Sequence, residues 1–201
     1  MNKKIKMKSK HRKIIGITLI VLGCCIVGVR VGGKYLFEQS SKQEVNEFLE
    51  KDIPTIDTKK NQSVKEIYKD IKPGDKIGVI EIKDLGVQHI IVEDTQEAQI
   101  KKNVGHFIET SMPGQFGNFS LAGHRNNLYN EVFKGLADVE IGTEIVIKAL
   151  NGEFKYQIYK KEVIEPDNFD VLSQDYGKKE MTIITCTKDG KKRVCVKAKM
   201  I

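Results

Sequence analysis

Apolar residues change their spacing along the chain, and each spacing predicts a different element. From Ile14 to Val29 they form a run without a single charge, Ile-Ile-Gly-Ile-Thr-Leu-Ile-Val-Leu-Gly-Cys-Cys-Ile-Val-Gly-Val. A bilayer asks for about 20 such residues. The run therefore predicts a membrane helix that extends to Tyr35 and Phe37 at the interface, with Arg30 and Lys34 snorkelling. From Glu38 to Asp75 the chain is charged, poor in aromatics and broken by Pro54 and Pro73, which reads as a stalk. Ser41-Lys-Gln-Glu44 and Ser63-Val-Lys-Glu66 are capping boxes that predict the starts of short helices. Val64, Ile67 and Ile71 give the second helix an apolar side that can pack on the domain downstream of it.

From Lys76 onward the pattern is that of strands. Ile77–Ile82 and Val87–Val92 are short β runs separated by Asp84-Leu-Gly86. Further strands are predicted over Asn118–Ala122, Glu144–Ala149, Phe154–Val163, Met181–Thr187 and Arg193–Lys199. On the last of these, Val194, Val196 and Ala198 alternate with Arg193, Cys195 and Lys197, so the apolar set faces the interior and Arg193 shares the outer face with Cys195. Thr95–Lys102 reads as a helix, and Tyr129–Val139 as a helical turn with Val132, Phe133 and Leu136 on its apolar side. Many short strands joined by polar turns imply an all-β barrel or sandwich. The domain organisation is a basic tail over 1–13, an anchor over 14–37, a stalk over 38–75 and a β domain over 76–201.

Charge sharpens this division. The formal net charge is +7, but Lys3, Lys4, Lys6, Lys8, Lys10, Arg12 and Lys13 account for all of it, and the other 27 Lys and Arg balance 27 Asp and Glu. A neutral body with its excess charge in one tail argues against nucleic acid as a partner. The tail beside an apolar run follows the positive-inside rule, which puts the N-terminus in the cytoplasm and everything after Phe37 outside the cell. A cleaved signal peptide would need a small-x-small site, and none lies near Arg30–Phe37. Val21-Leu-Gly-Cys24 is a poor lipobox because the apolar run continues past it, so Cys24 and Cys25 read as small apolar membrane residues.

Chemistry concentrates between Thr182 and Arg193. An apolar strand ends in Cys186, turns at Asp189-Gly190 and returns with Arg193, which places a thiol beside a guanidinium. A thiol is a nucleophile when held as thiolate near positive charge, and Arg193 can supply that charge or bind an oxyanion. His124, delivered just past Gly123 by the strand Asn118–Ala122, is the candidate proton carrier. The plain alternatives are a solvated strand arginine at 193, a buried small hydrophobe at 186, or a Cys186–Cys195 disulfide, which an extracytoplasmic compartment permits. Of the other histidines, His11 belongs to the basic tail and His89 to an ordinary strand.

The motif Thr182-Ile183-Ile184-Thr185-Cys186 resembles the T-L-x-T-C signature of the sortases, membrane-anchored cysteine transpeptidases of Gram-positive bacteria, with isoleucine for leucine. The resemblance extends through Val104-Gly-His-Phe, Met112-Pro-Gly-Gln-Phe-Gly-Asn, Leu121-Ala-Gly-His-Arg and the Arg193–Lys199 strand, about the last two thirds of the chain, and is most like class D. It implies a closed sortase-type barrel of about eight strands with short helices, catalytic residues His124, Cys186 and Arg193, and a place near the cleft for His106. It also implies cleavage of an L-P-x-T-G-like sorting signal between threonine and glycine, with transfer of the thioacyl intermediate to a cell-wall amine.

Other readings of the same residues are a cysteine endopeptidase, which uses the same thiol and imidazole but transfers only to water, and a tethered β module with a structural disulfide. Zinc on His106, His124, Cys186 and Cys195 has no supporting spacing. Glu93, Asp94 and the Glu162–Asp167 region could ligate calcium, as in some relatives, but scattered loop acids are ordinarily solvated. Neither a metal nor a cofactor is expected.

Overall fold

The computed structural model describes residues 9–51, 64–126 and 129–201. Lys3, Lys4, Lys6 and Lys8 of the basic tail, Pro54, and Ser63 of the second capping box lie outside the described residues. The chain divides into two units, Met1–Gln39 and Ser40–Ile201.

The first unit is dominated by helix α1, Ser9–Lys51, whose apolar stretch carries exposed Ile14, Ile20, Val27 and Leu36. Within α1, Lys13–Glu50 contains a window long and apolar enough to cross a membrane, and none of that window is buried. At about 1.5 Å per residue, the expected anchor over 14–37 spans roughly 36 Å, enough for a hydrocarbon core.

The capping box at Ser41 does not start a helix. α1 runs straight through it, and Ser41 sits mid-helix with its Oγ 3.2 Å from His89 Nε2. The reason is burial: Val45 and Phe48 are fully buried against Val79, Ile90 and Val92, with Leu49 alongside. Two such side chains contribute about 1.5–3 kcal/mol each, which outweighs the weak helix preference of one serine. Part of the expected stalk is thus a wall of the second unit.

That unit is a closed barrel of strands β1 (Lys76–Ile82), β2 (Val87–Glu93), β3 (Val104–His106), β4 (Gly117–Ala122), β5 (Glu144–Ala149), β6 (Gly152–Ile164), β7 (Lys179–Cys186) and β8 (Arg193–Met200). The order around it is β1-β2-β3-β4-β7-β8-β6-β5, and pairing of Gly78 with Ala149 closes it. Most pairs are antiparallel, but β3 runs parallel to β2 and β7 parallel to β4. β1 and β2 turn through Lys83–Leu85, and Gly86 takes the left-handed conformation, φ 63°, that a side chain would resist. The core packs Ile77, Ile80, Ile82, Ile91, Phe119, Leu121, Ile145, Ile147, Tyr156, Met181, Ile183 and Val196. Val194, Val196 and Ala198 join it, as their alternation predicts.

Helices are shorter than their sequence patterns suggest. α2, Val64–Ile67, packs on the core through Val64 and Ile67, joined by Ile71. The Thr95–Lys102 segment contains one turn, α3, Glu97–Ile100, and the Tyr129–Val139 segment a 3₁₀ turn over Leu136–Asp138. β3 was not anticipated as a strand, because three residues with a central glycine carry no period.

Candidate active site

Register decides what meets at the end of the barrel. β4 and β7 run parallel with Ala122 beside Ile184, so two residues further along each, His124 follows β4 where Cys186 ends β7. β7 and β8 are antiparallel with Cys186 directly opposite Arg193. The loop carrying His124 is tied to the cysteine strand twice: Gly123 N–H donates to the Ile184 carbonyl at 3.2 Å, and Thr185 Oγ1 donates to the Gly123 carbonyl at 2.8 Å. Gly123 must be glycine for a steric reason, since a Cβ there would come within 2.7 Å of the buried Phe133 ring.

His124, Cys186 and Arg193 line one groove of about 310 Å³ together with Glu97, Phe107, Ile164, Pro166, Asn168, Phe169 and Leu172. Cys186 is half-buried and free, so its sulfur is neither sealed in the core nor spent in a disulfide. Arg193 Nη1 donates to the carbonyls of Lys192 and Gly190 at 3.2 and 3.4 Å, which hold the guanidinium near the turn. These bonds use one nitrogen, and a guanidinium has five N–H donors. His124 Nε2 lies 3.6 Å from Glu97 Oε2.

The remaining candidates fall elsewhere. Cys195 is completely buried with Ile164 and Val171, beneath the β6–β7 connection, and burial pushes its thiol up to about 11. It is free, so the disulfide with Cys186 is not formed. His106 does not reach the groove: it is fully buried, with Nδ1 2.8 Å from Glu93 Oε2 and Nε2 3.0 Å from Thr110 Oγ1. Both of its nitrogens are engaged, so it holds the β3–β4 connection in place. Glu93 is thereby committed, and Asp94 Oδ1 accepts the Thr95 and Gln96 N–H groups. Among the described residues no cluster of three metal-ligating side chains occurs.

The wall of the groove is fixed by polar residues that sequence reasoning assigned no role. Thr182 Oγ1 donates to Asn118 Oδ1 at 2.8 Å, and Asn118 Nδ2 donates to the Val171 carbonyl at 2.9 Å. Gln174 Nε2 donates to the carbonyls of Asn118 and Leu172, while its Oε1 accepts from Asn118 N–H and Ser111 Oγ. This network fastens the β6–β7 connection, which supplies Pro166, Asn168, Phe169 and Leu172, onto β4 and β7. Thr182 and Thr185 were visible only as letters of a motif. Their roles depend on partners more than 60 residues away.

A model of the sortase domain matches residues 80–201, more than half of the chain. The chain belongs to the sortase family. This sortase is 27% identical over 182 residues to Sortase D of Bacillus subtilis (strain 168), covering 87% of this chain and 89% of that protein. It is 25% identical over 204 residues to Sortase A of Bacillus anthracis, covering 96% of each. Among solved structures, a Clostridium perfringens Sortase D5 transpeptidase superposes with a TM-score of 0.67 at 43% identity, covering 80% of this chain and 98% of that one. The sortase is thus class D-like, and its barrel carries the fold that the sequence resemblance implied.

Proposed function

We propose that this sortase is a membrane-anchored cysteine transpeptidase that cleaves an L-P-x-T-G-like sorting signal between threonine and glycine and joins the threonine to a cell-wall amine. The observation that carries the reading is the convergence of His124, Cys186 and Arg193 on one groove, with Cys186 and Arg193 in direct register. Cys186 Sγ, as thiolate, attacks the threonine carbonyl carbon, and the charge that develops on the carbonyl oxygen is held by Arg193. His124 gives a proton to the glycine nitrogen, the C–N bond breaks, and a thioester remains on Cys186. The acceptor amine then attacks the thioester carbonyl, passes a proton to His124 and releases Cys186 as thiolate. Splitting the transfer in two replaces one difficult step with two easier ones.

The apolar stretch of α1 supports anchoring by a single helix, and the seven basic residues before it support a cytoplasmic N-terminus with the barrel outside the cell. The test is to incubate the full chain in detergent with L-P-x-T-G-like peptides and candidate amines and to identify products by mass. An amide between the threonine and the amine supports the transpeptidase. Release of the threonine acid alone, whichever amine is present, supports an endopeptidase instead. Cys186→Ala and His124→Ala lose transfer while keeping the wild-type melting temperature, and persistence of transfer in either one removes the assignment.

A further inference from the structure

Glu97 is the one carboxylate among the described residues that line the groove, and Arg193 is the one other residue there with a permanent charge. Its Oε2 stands 3.6 Å from His124 Nε2, within ion-pair range and a few tenths of an ångström beyond a hydrogen bond. That ring nitrogen is covered from solvent and makes no hydrogen bond among the described residues. A buried ring nitrogen without a partner is costly, and this carboxylate stands within ion-pair range of it. In enzymes without substrate such bonds are commonly long and close up in the complex.

The scaffold holds the two groups together by more than chance proximity. Asn130 Nδ2 donates to the carbonyls of Ile100 and Lys101 at the end of α3, at 3.3 and 3.4 Å, and its Oδ1 accepts the Val132 N–H at 3.2 Å. Phe133 N–H donates to the His124 carbonyl at 3.1 Å. The loop that carries the histidine is therefore stitched to the helical turn that carries the glutamate. The charged and titratable neighbours of His124 in the groove are Glu97 from α3, Cys186 from β7 and Arg193 from β8, while adjacent Arg125 is turned away to the Lys134 carbonyl.

We propose that Glu97 is a positioning residue for His124: its carboxylate accepts the Nε2–H of the imidazolium and holds the ring, charged, in the groove. The proposal rests on His124 being the proton carrier. It adds a third group that orients the acid, the arrangement that covalent catalysts use to keep a nucleophile and its proton donor aligned. Because the Glu97 side chain is 73% exposed, the contribution is modest and acts on rate rather than on substrate affinity.

The experiment compares wild type, Glu97→Gln, Glu97→Asp and His124→Ala as full chains in detergent. The first readout is peptide transfer across pH, and the second is the rate of Cys186 alkylation by iodoacetamide across pH, followed by mass at that cysteine. Glu97→Gln is expected to lower kcat about five-fold, the size an exposed ion pair allows, with KM unchanged, to move the alkaline limb of the transfer profile to lower pH, and to move the rise of the alkylation profile to higher pH. Glu97→Asp keeps the wild-type profile shape. If Glu97→Gln leaves kcat and both profiles where they were, or raises KM alone, the positioning role is overturned. If His124→Ala still transfers, the functional reading fails first and takes this proposal with it. If His124→Ala is dead and Glu97→Gln is wild type, only the role of Glu97 falls.

Discussion

At the scale of single residues, the separation between Cys186 and Cys195 shows how environment assigns chemistry. Both are on the outer face of one hairpin, but only the first lines the groove, while the second is completely buried under the β6–β7 connection. On the proposed mechanism, replacing Arg193 with alanine removes the oxyanion donor. The expected loss in kcat is on the order of 100-fold, measured by peptide transfer, with the fold intact by circular dichroism. His89 gives a pH prediction. Burial lowers its imidazole from 6.5 to about 4, so the unfolded chain binds a proton that the folded one refuses. Its contribution is fully present above the unfolded value of 6.5 and is lost as pH falls toward the folded value of about 4. The loss reaches about 3 kcal/mol at the acid end. Urea titrations of wild type and His89→Gln at pH 7 and pH 4.5 measure it: the variant loses less stability on acidification.

At the scale of elements, the strands were legible because a half-buried strand must alternate, and β8 does so except at Cys195, which the β6–β7 connection covers. The positions of His124, Cys186 and Arg193 were legible for a related reason: strand ends and glycine turns mark where side chains leave the barrel. The cap at Ser41 misled because a capping box is local, whereas the burial of Val45 and Phe48 on β1 and β2 is not. The Asn118–Thr182–Gln174 network was invisible because its members are single polar residues far apart in sequence. Thr182→Val leaves Asn118 Oδ1 without its buried donor and is expected to destabilise the fold by about 1–3 kcal/mol. It also loosens the wall of the groove, so KM for peptide rises while the rate of Cys186 alkylation stays the same. Steady-state kinetics and alkylation, run side by side, check both halves.

At the scale of the whole molecule, the two units place a cut site. A chain beginning at Ser40 keeps every buried side chain of the second unit and is expected to melt as that unit does in the full protein. Phe48→Ala in that shortened chain removes the largest apolar contact over Val79, Ile90 and Val92, with an expected loss of about 3–5 kcal/mol, read from the denaturant midpoint.

The distribution of the four cysteines bears on how intact molecules are counted. Cys24 and Cys25 leave with the first unit, and Cys195 is shut inside the second. A shortened chain therefore offers a water-borne electrophile one sulfur. One equivalent of reagent consumed reports one open groove, and the same arithmetic sets the dose at which a covalent reagent saturates it.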